Sequence, residues 1–374
     1  MRISVVSSSY VVALNQRKWS LIAEDGNNDV QVITVDRWAD MGRPLTAQRL
    51  AGKHHLHVIN AMGQPHFYWF WFSRGRLMSA IASFDPDVVY VELEPQCLAA
   101  FQVAQVARRL HKPLVLFTWE NLVRRYTFVQ LWWARRVLRR TAHLIGGSER
   151  ALTVARHYGY EGGSSVLPQF GVDTALFNID PDATIRERFN LGNALVIGWV
   201  ARVAKLKGIF TVLEALGGFS ANWRLLVAGD GPDRSRAEQL ARELGIDRQI
   251  FWMGAVPHAE IPQYLKAMDI FVLASIPTPD WEEQFGHVLI EAMSCGVPVI
   301  AADSGAIPGV VGDAGLVVPA GDAAALRGAL ERLAAEPPLR QQLSRRGRQR
   351  VLNQYSDGVI AGRLAAILGE AAHG

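Results

Sequence analysis

The stretch that carries the most chemistry is Glu283–Gln284–Phe285–Gly286–His287–Val288–Leu289–Ile290–Glu291–Ala292–Met293, in which two acids are separated by seven residues. Gly286 can open a helix, which would leave Glu283 in the preceding loop and Glu291 more than one turn inside. Backbone N–H groups near Phe285, His287 and Val288 would then point at an anion. A carboxylate at Glu291 can accept from a pair of ribose hydroxyls, and one at Glu283 from sugar hydroxyls. Gly198, Arg202, Lys207 and Gly208 form a second group, at a strand end and the opening of the next helix. Two cations there suit a diphosphate, because a helix N-terminus already favours anions. A third group, Ala228–Gly229–Asp230–Gly231–Pro232, is a tight strand-to-helix turn that lets backbone approach a ligand. Read singly, the two cations fit a solvated surface better and the turn fits a purely structural role equally well, whereas the acids fit an exposed helix face less well, because their helix runs into the turn Gly296–Val297–Pro298 and the buried-looking strand Val299–Ala302.

Elements able to position them recur along the chain. Strands are expected at Ile3–Ser7, Val30–Val35, Val88–Glu92, Leu114–Thr118 and His143–Gly146, then at Val196–Val200, Trp223–Ala228, Ile250–Met253, Ile270–Ala274, Val299–Ala302 and Gly315–Val318. Nearly continuous apolar runs suit parallel strands covered on both faces. Helix-like stretches such as Cys97–Leu110, Pro232–Leu244 and Ile261–Ala267 alternate with them. The fold class is therefore α/β, with two Rossmann-like doubly wound domains. The division expected is residues 1–175 and 176–354, with a C-terminal helix at about 355–374 packing back on the first domain. In open α/β sheets ligands bind beyond the carboxyl ends of strands, so two such domains facing each other would hold a cleft there.

The second half resembles the C-terminal domain of the retaining family 4 glycosyltransferases, which have the GT-B fold. It matches their motifs at Gly198, Arg202, Lys207, Gly208, Gly229, Gly231, Pro232, Glu283, Phe285, Gly286, Glu291, Ala292 and Met293, and again at Ser304–Gly305 and Ile307–Pro308. Leu206, Ala306 and Gly309 depart from the usual pattern. The resemblance implies transfer of a sugar, with retention, from a UDP- or GDP-sugar to a glycan, a lipid-linked or a small-molecule acceptor. It implies no metal and no other cofactor: Arg202 and Lys207 would stabilise the leaving diphosphate, with Glu283 on the donor sugar and Glu291 on the ribose. Gly229, Phe285, Gly286, His287 and Val288 would complete the donor site. The N-terminal half departs further. Ser7–Ser8–Ser9–Tyr10 replaces the family's Gly-rich loop, and Thr118–Trp119–Glu120–Asn121 stands where many relatives carry a histidine. Ser9, His66, Trp119 and Glu120 are the acceptor-side candidates. Two other readings are a non-catalytic nucleotide-sugar-binding subunit and a GT-B-like sugar-nucleotide epimerase.

Composition narrows the classes. The 374 residues are 49% apolar and 20% charged, which excludes a wholly disordered chain. No apolar run approaches the roughly 20 residues of a membrane span, and Met1–Ser7 reads as a strand, not a leader. Two cysteines, Cys97 and Cys295, fit a reducing cytoplasm. Asp85–Pro86–Asp87 is formally a metal-binding D-x-D, but two acids beside a proline read as a turn. Charge is uneven: residues 1–170 hold 20 Lys+Arg against 12 Asp+Glu, whereas the whole chain is only +4. The aromatic run Phe128–Trp133 is flanked by Arg124, Arg125, Arg135, Arg136, Arg139 and Arg140. This is either an anionic-membrane surface, making the protein peripheral at the inner membrane face, or a core helix with a solvated arginine face. No nucleic-acid module accompanies these cations.

Overall fold

In the computed structural model, which describes residues 1–40, 43–63 and 66–373, the chain forms two units: Met1–Gly171 with Asp357–Gly374, and Val172–Ser356. The first is built on seven parallel strands: β1 (Arg2–Val6), β2 (Asp29–Val35), β3 (His55–Ile59), β4 (Val88–Glu92), β5 (Leu114–Thr118), β6 (Thr141–Gly146) and β7 (Gly163–Val166). They lie in the order β7-β6-β5-β4-β1-β2-β3. The second holds β8 (Leu195–Val200), β9 (Trp223–Ala228), β10 (Ile250–Gly254), β11 (Ile270–Leu273), β12 (Val299–Ala302) and β13 (Gly315–Val318), in the order β10-β9-β8-β11-β12-β13. Both are therefore doubly wound sheets whose strand order reverses once, between β1 and β4 and between β8 and β11.

The central strands form where the sequence predicts them because they are buried on both faces; every residue of β4, β5, β11 and β12 is buried. Two strands of these sheets escape the sequence reading, and both lie at sheet edges. The short antiparallel pairs Arg37–Asp40 with Arg43–Thr46 and Ala61–Met62 with Trp71–Phe72, which stand outside the two sheets, escape it as well. Three of the five residues of β3 are exposed, two of them histidines, and β7 is Gly163–Ser164–Ser165–Val166 with no fully buried residue. An edge strand pairs on one side only and needs little apolar content, so periodicity does not reveal it.

Each face of the first sheet carries its own core. One includes Val35, Phe70, Phe72, Leu77 and Leu116. The other joins Trp19, Tyr90 and Phe117 to Ile360, Leu364 and Leu368 of the helix Asp357–His373. The second unit packs Trp199 and Trp223 on one face of its sheet, against the helices Ile209–Gly217 and Ala323–Ala335. Trp133, read from sequence with the exposed basic face, belongs to the core: it is 7% exposed, at positions of the helix Phe128–Leu138 that pack inward with Ala134, Val137 and Leu138. Asp85 and Asp87 are used separately. Asp85 ends the helix Arg74–Phe84 and pairs with Lys112 at 2.8 Å, while Asp87 accepts from the Arg2 backbone N–H at 2.7 Å.

A buried charge pair lies at the carboxyl end of β4. Glu92, the last residue of β4, accepts from Lys18 and Tyr10, from Tyr90 at 2.9 Å and from Gln169 Nε2 at 2.9 Å. Lys18 also donates to Gln169 O at 2.7 Å and lies near the rings of Trp19 and Phe170. Burial lowers the Lys18 pKa and Glu92 opposes that shift. Glu92→Gln, which leaves the ammonium buried without a counter-charge, is expected to cost about 3–5 kcal/mol in urea unfolding. Lys18→Met combined with Glu92→Leu should cost clearly less; equal losses would show that the charges do not matter.

Candidate active site

The loops after β8 and β11 leave the second sheet at its reversal point and are tied together there. Gly208 precedes the helix Ile209–Gly217 with φ +76°, and a Cβ on it would lie 1.7 Å from the Ala274 carbonyl oxygen. Ile276 N–H donates to Leu206 O at 2.8 Å. Only glycine permits that approach. It brings Lys207 Nζ to 2.7 Å from Glu283 Oε2, which also accepts from Ser275 Oγ at 2.7 Å. The Trp281 ring flanks the ammonium, 4.8 Å from its centroid. Gly305 in turn lets the next loop press on the Glu283 backbone, whose carbonyl accepts from Ala306 N–H at 3.0 Å.

Gly286 directly precedes the helix His287–Ser294, with φ +78°. Phe285 is buried beside Tyr355, and Val288 is half-buried in the first turn. Glu291 accepts on Oε1 from His258 Nε2 at 2.8 Å and from His287 Nδ1 at 3.2 Å. Burial raises its pKa, yet these two imidazoles outweigh it and hold the carboxyl at about 2. Neither acid is an exposed helix-face residue: Glu283 is 8% and Glu291 6% exposed. In each, the protein's side-chain bonds fall on one oxygen; the other takes none among the described residues. Such a carboxylate is held in place with acceptor capacity to spare.

Arg202 is exposed two residues beyond β8. Gly229 packs against the Ala201 carbonyl, where a Cβ would lie 1.8 Å from the oxygen, and Gly231 packs likewise on Val203. These glycines hold the loop after β9 against the Arg202 loop. The structure thus gathers Arg202, Lys207, Gly229 and Glu283 at one edge of the sheet, with Glu291 anchored in the helix that follows. His258, Ser275 and Trp281 were missed. Ser275 had a legible signal, standing just past a strand end, but His258 opens a single 3-10 turn, His258–Glu260, with no motif around it, and only folding brings it to Glu291.

The acceptor-side candidates lie in the first unit. Ser9 follows β1, its hydroxyl 2.9 Å from Ser7 Oγ. Trp119 and Glu120 follow β5. Trp119 donates from its backbone N–H to Glu94 at 2.7 Å and from Nε1 to Gln169 at 2.6 Å. Glu120 accepts from Arg124 Nε at 2.7 Å and Tyr126 OH at 3.2 Å. Glu94, two residues past β4, is pushed up to about 7 by burial, against hydrogen bonds from Thr118 and Trp119. His66 is exposed, and its ring makes no hydrogen bond among the described residues. Among the described residues no cluster of His, Cys, Asp and Glu could hold a metal ion.

Two α/β units, each built on a parallel sheet whose strand order reverses once, have the architecture of the GT-B fold class. Residues 182–350 match the family model described as "Glycosyl transferases group 1", and residues 23–176 match "Glycosyltransferase Family 4". Between them the models take in most of the chain, which belongs to the group 1, family 4 glycosyltransferases.

Among its relatives is the GDP-mannose-dependent alpha-(1-6)-phosphatidylinositol monomannoside mannosyltransferase of Mycolicibacterium smegmatis, 31% identical over 53% of this chain and 54% of the relative. Another is the 2-deoxystreptamine glucosyltransferase of Streptomyces kanamyceticus, 29% identical over 71% and 66%. The chain thus spans between about half and two thirds of the length of these curated relatives. Solved structures agree in fold: HepE of Anabaena in complex with UDP superposes with a TM-score of 0.78 at 19% identity, over 99% of this chain and 100% of that one. Sucrose-phosphate synthase of Thermosynechococcus elongatus gives 0.74 at 21%, over 99% and 98%.

The histidine pair makes a direct prediction. A depressed Glu291 pKa contributes stability that is full above the ordinary value of 4.5 and is lost as the pH falls towards about 2. His258→Ala should move the Glu291 titration upward, so that this contribution is smaller and is lost at higher pH. Carboxyl-carbon NMR of the Glu291 resonance measures it; an unmoved midpoint would mean that His258 does not hold the carboxylate.

Proposed function

We propose that the chain transfers a sugar from a nucleoside-diphosphate donor to a hydroxyl-bearing acceptor, with retention of configuration and without a metal ion. The observation that carries this reading is the Lys207–Glu283 ion pair at the reversal point of the second sheet, 2.7 Å long and reinforced by Ser275. The second unit takes the donor. As the bond between the anomeric carbon and the diphosphate breaks, negative charge grows on the leaving oxygens. Lys207 has three N–H donors and spends one on Glu283, leaving two for phosphate. Arg202 supplies a second cation with several donors. Preorganised charge of this kind needs no divalent ion. The open oxygens of Glu283 and Glu291 accept from hydroxyls of the donor sugar and the ribose, fixing the donor for attack.

The donor is a UDP- or GDP-sugar: one relative is named for GDP-mannose and one similar structure was solved with UDP. The relatives' names include a phosphatidylinositol mannoside and 2-deoxystreptamine, a lipid-linked and a small-molecule polyol acceptor. The first unit presents Ser9, Trp119, Glu120 and Glu94, whose pKa burial pushes up to about 7, at the carboxyl edge of its sheet, a set suited to hydroxyl groups.

A panel of UDP- and GDP-sugars, read by nucleotide release with and without added polyol and glycolipid acceptors, tests the reading. Nucleotide release from one donor, with an α-linked donor giving an α-linked product, is the expected result. Tight donor binding with neither hydrolysis nor transfer would instead make the chain a nucleotide-sugar-binding subunit.

Arg202→Ala and Lys207→Ala should each lower turnover by an amount equivalent to about 2.7–4 kcal/mol. Loss of the exposed Arg202 should cost little fold stability, whereas Lys207→Ala also destabilises the fold, because it leaves the nearly buried Glu283 without its cation. Wild-type turnover in both would remove them from the site. Activity should also survive EDTA; loss that a divalent ion restores would refute the metal-free scheme.

A further inference from the structure

The helix Phe128–Leu138 of the first unit has two faces. One packs inward through Trp133, Ala134, Val137 and Leu138. The other begins with Phe128, Val129 and Trp132, exposed by 81%, 43% and 39%, and continues through Arg135 and Arg136 to Arg139 and Arg140 just beyond the helix end. The apolar residues occupy its first turns and the arginines its last, about 1.5 Å further along per residue. Arg136 lies over the Trp132 ring at 4.9 Å.

The apolar surface continues beyond this helix. Trp132 packs on Phe101 at 5.1 Å, and Phe101 lines a groove of about 180 Å³ with Leu77, Leu98 and Val106. Arg74 and Arg109 stand at the margins of that groove. Half-exposed Trp69 joins from the other side, packed edge-on against Trp133 at 5.1 Å. An isolated exposed ring needs no explanation, but a continuous apolar strip bordered by cations marks an interaction surface.

Charge says what that surface fits. From Gln96 to Ser148 there are nine Lys and Arg against one acid, Glu120. Glu120 is itself occupied by Arg124 and Tyr126. No carboxylate pairs with Arg125, Arg135, Arg139 or Arg140 among the described residues. A strip with exposed Phe and Trp at one end and unneutralised arginines along its length matches the boundary between acyl chains and anionic headgroups. A protein partner would need a largely acidic face of matching shape, and nothing in the chain asks for one.

We propose that this face of the first unit docks on an anionic lipid bilayer, with Phe128, Val129 and Trp132 entering the acyl boundary and Arg125, Arg135, Arg136, Arg139 and Arg140 binding headgroup phosphates. The proposal rests on the first unit alone, so it stands or falls separately from the donor-site reading.

Co-sedimentation of the full chain with phosphatidylglycerol/phosphatidylcholine vesicles, against phosphatidylcholine alone, tests it. Binding at low salt should be at least tenfold stronger to the anionic vesicles. It should fall as salt rises and the screening length shrinks from about 10 Å towards 3 Å. Phe128→Ser and the pair Arg139→Gln with Arg140→Gln should each lower the bound fraction severalfold; all three side chains are exposed, so the fold is retained. Arg345→Gln with Arg346→Gln, in the basic helix Pro337–Gln354 of the second unit, should leave binding unchanged. Equal binding to both vesicle types, no vesicle binding, insensitivity to Phe128→Ser, or loss through the Arg345/Arg346 variant would each overturn the assignment.

Discussion

The 2.7 Å contact between Lys207 Nζ and Glu283 Oε2 joins the loops that follow two strands adjacent in space but far apart in sequence, β8 and β11. Strand order reverses between them, so their connections leave in opposite directions and open a crevice at the carboxyl ends. An ion pair spanning that crevice has to be held from behind. Ser275 does this on the carboxylate side, and the Trp281 ring flanks the ammonium. Glu283 is nearly buried, so its charge depends on these partners, and moving either loop would leave a carboxylate without compensation.

The loops sit that close because glycine is placed where backbone meets backbone. Gly208 lies against Ala274, Gly229 against Ala201, Gly305 against Glu283, and no Cβ fits at any of the three. In the structure these three glycines are points of contact between neighbouring loops. Those contacts hold the loops that carry Arg202, Lys207 and Glu283 against one another. Glu291 follows the same logic in another form: it is fixed by two imidazoles on one oxygen, and its helix is anchored where Ser294 donates to Phe177 O.

The first unit uses its carboxyl edge differently. Its acids are handled one by one: Glu92 by Lys18, Glu120 by Arg124, and Glu94 by neutral donors alone. Only the last is left poised near neutrality, because burial without a cation favours the protonated form. Four of this unit's cations, Arg135, Arg136, Arg139 and Arg140, lie on the outward face of the helix Phe128–Leu138 or just past its end, beside exposed aromatic rings instead of acids.

Local sequence determined the central strands, the glycine turns and the Glu283–Glu291 helix start, since each rests on near-neighbour rules: two-faced burial, φ freedom, and helix opening. It also carried the family motifs. Edge strands β3 and β7 were not legible, because half of an edge strand's surroundings is water and its composition is free to be polar. Only the tertiary structure decided that Trp133 is core and Trp132 surface, for two adjacent helical positions point about 100° apart and the sequence does not say which faces the neighbouring helix. Only it brought His258 to Glu291 and Ser275 to Glu283. Those contacts depend on where loops end in space, which the order of the strands sets and the spacing of residues along the chain does not.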